Sequence, residues 1–114
     1  MDIGDTNTQA LAAALRGLDA QRQAHEANLS NIETPGYKAR VVTFEDSLGR
    51  AIRSGDPQRA SITTTKSTKP TRIDGNNVKV DDEVLALQRN ALQQQLVTEA
   101  VNSQFRRIRA TLGH

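Results

Sequence analysis

The sequence predicts a mainly α fold, with two long terminal helices forming a coiled-coil-like hairpin. A short extended and loop-rich middle segment with one short helix joins them. Three observations carry this. Apolar residues recur at alternating four- and three-residue spacings over residues 8–32 and again over 84–112. Between them, residues 54–77 are rich in Ser, Thr, Lys, Gly and Pro. Hydrophobic residues make up 36% of the 114, with 14 alanines among them and only three aromatics, Tyr37, Phe44 and Phe105. Such a chain lacks the bulky side chains of a thick, self-contained core.

The first helix is expected over residues 8–32. Leu11, Leu15, Leu18, Arg22, His25, Leu29 and Ile32 form its stripe. Its alanines raise helix propensity, and Asp5, Thr6, Asn7 and Thr8 offer N-caps. Pro35 disfavours helix at Thr34, and Pro35-Gly36 reads as a turn. Val41, Val42 and Phe44 read as a short extended piece. Residues 44–53 read as a short helix, with Phe44, Leu48 and Ile52 at i, i+4 and i+8. The run Thr63–Pro70 reads as loop or weak strand.

The second long helix is expected over 84–112. Val84, Leu87, Ala91, Gln94, Thr98, Val101, Phe105, Ile108 and Leu112 mark its stripe, and Leu85, Leu92 and Leu96 an adjacent ridge. Asp81, Asp82 and Glu83 suit its N-terminal end as a cap, and Arg106, Arg107 and Arg109 its C-terminal end. Two helices alone do not bury both stripes and the extra ridge, and the pairing direction stays open. Both seams contain polar residues: Arg22 and His25 on one, Gln94 and Thr98 on the other. The resulting parts are 1–33, an N-terminal helix; 34–80, an extended linker with a short helix and a loop; and 81–114, a C-terminal helix.

Charge and composition exclude much. The net charge of +2 divides into −3 over residues 1–33, +5 over 34–80 and zero over 81–114. The weakly basic middle lacks interleaved aromatics, so nucleic acid is not an expected partner. No cysteine is present, which removes disulfides, Cys-ligated zinc and thiol catalysis. No apolar run spans a bilayer, and the first 20 residues contain no hydrophobic signal segment. No Ser-His-acid set, phosphate loop or metal-ligand spacing occurs. His114 is terminal, and His25 on the apolar stripe reads as a packed histidine. The expectation is no catalysis, no cofactor, no metal and no small-molecule substrate. A free helical adaptor or chaperone, and a nucleic-acid-binding hairpin, are the alternatives from other classes.

The segment Ala27-Asn28-Leu29-Ser30-Asn31-Ile32-Glu33-Thr34-Pro35-Gly36-Tyr37-Lys38-Ala39 resembles the N-terminal signature of flagellar rod, hook and hook-associated axial proteins. Val42-x-Phe44, the short chain and Asp74-Gly75-Asn76-Asn77-Val78-x-Val80-Asp81-x-Glu83 make it similar to a proximal rod subunit without the large inserted domain of hook proteins. Another proximal rod subunit is the alternative within the family.

The resemblance implies a structural subunit of the basal-body rod, located in the periplasm and exported without a cleaved signal by the flagellar type III apparatus. It implies contacts with like subunits, with other rod proteins and with the inner-membrane-ring adaptor protein. The signature residues are then Asn28, Leu29, Asn31, Thr34, Pro35, Gly36 and Tyr37, with Asn28 and Asn31 expected as helix-end caps and Pro35-Gly36 turning the chain. Val101, Phe105 and Ile108 are the expected assembly seam. Phe44-Glu45-Asp46-Ser47-Leu48 fits the loose Phe-x-x-x-hydrophobic pattern that early export substrates present to the export gate. Its spacing places Phe44 and Leu48 on one helical face.

Overall fold

The computed structural model describes residues 3–113, with side-chain surroundings from Thr6 onward. In order come helix α1 (Ile3–Ser30), strand β1 (Arg40–Thr43), helix α2 (Glu45–Arg53), a 3-10 turn (Pro57–Arg59), strand β2 (Thr63–Lys66) and helix α3 (Val80–Leu112). The two terminal helices form an antiparallel hairpin. Asn90 of α3 reaches Leu18 of α1, while Glu83 reaches His25, so a seven-residue step along one helix matches a seven-residue step back along the other. The molecule is 65 Å long and 14 Å across its thinnest axis.

Both helix starts lie earlier than the spacing predicts. α1 begins at Ile3, so Thr6, Asn7 and Thr8 sit inside it and do not cap it. α3 begins at Val80, preceded by Lys79, which makes no side-chain cap bond. Asp81 and Asp82 occupy the exposed first turn, where the helix dipole favours acids. Glu83 departs from the capping role: it is buried against α1. The short helix also differs by one residue. Phe44 is its N-cap, with Glu45 Oε1 accepting the Phe44 N–H at 3.2 Å.

α1 is covered on two sides. Its predicted stripe faces α3 and is half-buried, with Leu18 fully packed. A second face, Ala13, Gly17, Ala24 and Asn28, is buried under the middle segment. The alanines therefore do more than favour helix. Their small size admits the β1–α2 layer. At Gly17 the approach is closest, since a Cβ there would lie 2.3 Å from Phe44 Cγ.

β1 and β2 pair antiparallel, Arg40 opposite Lys66 and Thr43 opposite Thr63. The other edge of β1 is tied to α1 by side chains. Asn28 Nδ2 donates to the Arg40 carbonyl at 3.0 Å, Asn28 Oδ1 accepts the Arg40 N–H at 2.8 Å, and Gln21 Nε2 donates to the Val42 carbonyl at 3.1 Å. Those two side chains stand seven residues apart on α1 and meet alternate residues of the strand, as the helical and strand periods require.

The face that α3 turns to α1 differs from the predicted stripe. The half-buried and buried positions of α3 are Glu83, Ala86, Leu87, Asn90, Gln94, Val97, Val101, Ser103 and Gln104. Leu87, Gln94 and Val101 belong to the predicted stripe. Val84, Ala91, Thr98 and Phe105 lie on its outer flank and are exposed, and Ile108, one heptad past Val101, is exposed as well. The apolar edge is turned outward, and the edge carrying Glu83 and Asn90 is turned in.

Candidate functional site

The N-terminal signature and the Asp-Gly-Asn-Asn-Val element meet at one end of the hairpin and form a polar clasp. Asn28 is fully buried inside the last turn of α1, and its side chain reaches away from the helix end, so its predicted capping role is replaced by another. Its amide uses all four hydrogen-bonding positions: besides both Arg40 backbone groups, Nδ2 donates to Glu83 Oε1 at 2.7 Å and Oδ1 accepts from Tyr37 Oη at 3.2 Å. Glu83 Oε2 faces His25 Nδ1 at 2.8 Å. One buried asparagine thus joins α1, β1, Tyr37 and the first turn of α3.

Asn31 lies just past α1 and does act at the helix end. Its Nδ2 donates to the Ala27 carbonyl at 2.8 Å, and its Oδ1 accepts from Thr34 Oγ1 at 3.0 Å. The chain then turns as Thr34-Pro35-Gly36-Tyr37. The Tyr37 N–H donates to the Thr34 carbonyl at 3.2 Å, and Gly36 has φ 74°. That is a type II turn, with Pro suited to its second position and Gly required at its third. Thr34 and Pro35 are exposed, and Leu29 is half-buried.

The second element closes over this turn. The Gly36 N–H donates to the Asp74 carbonyl at 2.8 Å, and the Asn77 N–H to the Tyr37 carbonyl at 3.2 Å. Gly75, at φ 83°, sits against Gly36; a Cβ on Gly75 would lie 3.3 Å from Gly36 Cα. Asn76 is fully buried and braces the turn that follows α1: its Nδ2 donates to the carbonyls of Asn31 at 2.8 Å, Thr34 at 2.9 Å and Ile32 at 3.2 Å. Its Oδ1 accepts the Val78 N–H at 2.7 Å. Arg72 adds a donor to the Ile32 carbonyl and another to the Val78 carbonyl. Asn77 Oδ1 accepts the Ala39 N–H at 2.6 Å, and its Nδ2 reaches the Ser67 and Lys69 carbonyls. Among the described residues no buried side-chain nitrogen or oxygen lacks a partner.

Reading residues along the chain misses this clasp. Asn76, Asn77, Arg72 and Glu83 carry it, and none has a periodic or catalytic signal. The one available signal is the Asp-Gly-Asn-Asn run, because Asn and Gly together mark turns in which amides replace backbone partners.

The predicted seam residues stand at the other end. Val101 is half-buried against α1, and Phe105 and Ile108 are exposed. Phe105, Ile108, Arg109 and Leu112 line an open groove of about 390 Å³. Phe44 and Leu48 are neighbours, the Leu48 N–H donating to the Phe44 carbonyl at 2.8 Å. Phe44 is buried against Gly17 and Leu48 is half-buried, so the pair packs inward in the folded chain.

At the edge of the α1 stripe, part-exposed Arg22 pairs with Asp19 at 2.6 Å and Glu26 at 2.8 Å. The Arg22 guanidinium holds the Asp19 carboxyl below the usual carboxylate range, and the two acids raise Arg22. These are surface pairs and contribute little to stability. At Glu45, burial opposes the charge, but hydrogen bonds from Gln21 and from the Glu45 and Phe44 backbone outweigh it and hold the carboxyl low.

No family model matches the chain. Individual relatives do. The flagellar basal body rod protein FlgB of Escherichia coli is 31% identical over 84% of this chain and 90% of its own length. FlgB of Borreliella burgdorferi is 30% identical over 75% and 79%. The chain belongs to the FlgB family. FlgB of Bacillus subtilis, 29% identical, aligns over 98% of this chain and 97% of its own length, so the resemblance to FlgB reaches both terminal helices and the middle. FlgB-family membership makes the chain a structural protein of the flagellar basal body rod. No described helix is long and apolar enough to cross a membrane.

Proposed function

We propose that this rod protein self-assembles through its terminal helices, with the outward stripe of α3 as the contact between subunits. The exposure of that stripe supports the reading. Leu96 is 63%, Phe105 55% and Leu112 78% exposed, and Leu85, Leu92 and Ile108 are open as well. Burying a residue of this size contributes about 1.5–3 kcal/mol, so a helix that leaves six of them open is built to gain that burial from neighbours. Like subunits, other rod proteins and the inner-membrane-ring adaptor protein are the partners, in the periplasmic rod. The division 1–33, 34–80 and 81–114 follows: two helices for the rod wall and a middle segment that fixes their relation. The role is structural, with no catalytic step.

Export comes first, through the flagellar type III apparatus and its gate. Phe44 and Leu48 pack inward once the chain folds, so the gate meets them on the unfolded or partly folded chain. Phe44→Ala with Leu48→Ala is expected to lower secretion at unchanged cellular level; normal secretion by the pair would leave them only their packing role.

Phe105→Asp tests the seam. The charge costs several kcal/mol when a neighbour buries it and nothing while water reaches it. Cells whose own copy is replaced by this variant are expected to export it, form no rod and not swim, while Gln95→Asp on the flank is milder. Normal swimming by Phe105→Asp cells would remove the stripe from the assembly contact.

A further inference from the structure

We infer that Glu83 and Asn90 set the rotation of α3 against α1, keeping its apolar edge out of the intramolecular seam. The significance of that edge rests on the assembly reading above; the rotation does not. Apolar burial alone favours the opposite arrangement. At the positions where the two edges differ, the inner one offers Glu83, Asn90, Val97 and Gln104, and the outer one offers Val84, Ala91, Thr98 and Phe105. Turning α3 by roughly 50° would exchange them, because neighbouring residues on a helix lie about 100° apart. Leu87, Gln94 and Val101 would stay near the seam in both states.

The inner edge is held at two points. Both oxygens of Glu83 are engaged, Oε1 by Asn28 Nδ2 at 2.7 Å and Oε2 by His25 Nδ1 at 2.8 Å. Both ends of the Asn90 amide are engaged too: Nδ2 donates to the Leu18 carbonyl at 2.8 Å, and Oδ1 accepts from Gln94 Nε2 at 2.7 Å. Glu83 and Asn90 are both buried. They stand one heptad apart, and so do their attachments His25 and Leu18. One such pin fixes register. Two, a heptad apart, fix register and rotation together, since turning α3 strips partners from buried polar groups at both levels. A buried polar residue in a helical seam is a known means of excluding alternative pairings at a cost in stability.

The absence of cysteine makes disulfide trapping a clean test. Another seven-residue step from the Leu18–Asn90 contact places residue 11 opposite residue 97. In dilute full-length chain, Leu11→Cys with Val97→Cys is expected to cross-link several-fold faster than Leu11→Cys with Thr98→Cys. Adding Glu83→Ala and Asn90→Ala should lower that ratio to near one or reverse it. Glu83→Gln, which keeps a hydrogen-bonding side chain, should retain it. Should the double alanine variant lose its helical circular dichroism, Asn90→Ala alone decides, with a smaller fall in the ratio. A ratio unchanged in the folded alanine variants would overturn the assignment. Motility reads the other half: a shifted ratio in Asn90→Ala cells that still swim would uphold the rotation and overturn the assembly role of the stripe.

Discussion

At the clasp end of the hairpin, Asn28 and Asn76 are fully buried, and among the described residues every buried side-chain nitrogen and oxygen has a partner within the same chain. Some 20 residues further along α3, Phe105 and Leu112 lie open. The two ends use different interactions. The clasp is polar, directional and self-contained, so it specifies one geometry without a neighbour. The far end is apolar and non-directional, and in the proposed assembly its burial comes from other subunits.

Mutations separate the ends. The largest stability effect is expected from Asn76→Ala, which removes the buried partner of three carbonyls in the turn after α1 and of the Val78 N–H. A loss of about 2–4 kcal/mol is expected in urea unfolding of the dilute chain. Phe105→Asp, by contrast, should change that midpoint by no more than about 0.5 kcal/mol, as exposed substitutions do. If the two variants were equally unstable, the far end would be part of the monomer fold and the contrast would fail.

Gly17→Ala probes the layer between the ends. Its new methyl collides with the Phe44 ring, so Phe44 or α2 must shift. Such overpacking costs about 1–3 kcal/mol. Phe44→Leu in the same chain should recover part of it; no recovery would place the cost elsewhere than in this contact.

The smallest effect concerns pH. Glu45 is held below the ordinary carboxylate range when folded, so its contribution is present above that range. The contribution fades as pH falls through the range and below it, because the unfolded chain takes up the proton first. Glu45→Gln should flatten the acid side of the stability profile slightly and leave the neutral side nearly unchanged. A variant that steepened the acid limb would reverse the sign argued here.

Much of the fold was legible in the residues. Spacing alone gave both long helices, because 3.6-residue periodicity over 25 or more positions admits few other readings. Pro35-Gly36 gave the turn, since few residue pairs fit a type II geometry. Helix starts were less legible: Lys79 carries no cap bond, and α1 runs back past Thr6, so the cap-type residues Thr6, Asn7 and Thr8 do not mark where it begins. The clasp was half legible. Its two elements were recognisable as patterns, yet nothing along the chain says that Asn76 reaches across 45 residues to the carbonyl of Asn31.

The sequence by itself determined the periodic and the local: where helices run, where the chain must turn, and which class of structural protein it resembles. These depend on near neighbours, and backbone geometry propagates them. Tertiary structure alone decided which edge of α3 faces α1, that Asn28 is a buried hub, and that Gly17 seats Phe44. In each case the outcome hangs on a few directional hydrogen bonds or one steric fit between residues distant in the chain. A sum over apolar positions carries neither, which is why the apolar stripe was found but its outward direction was not.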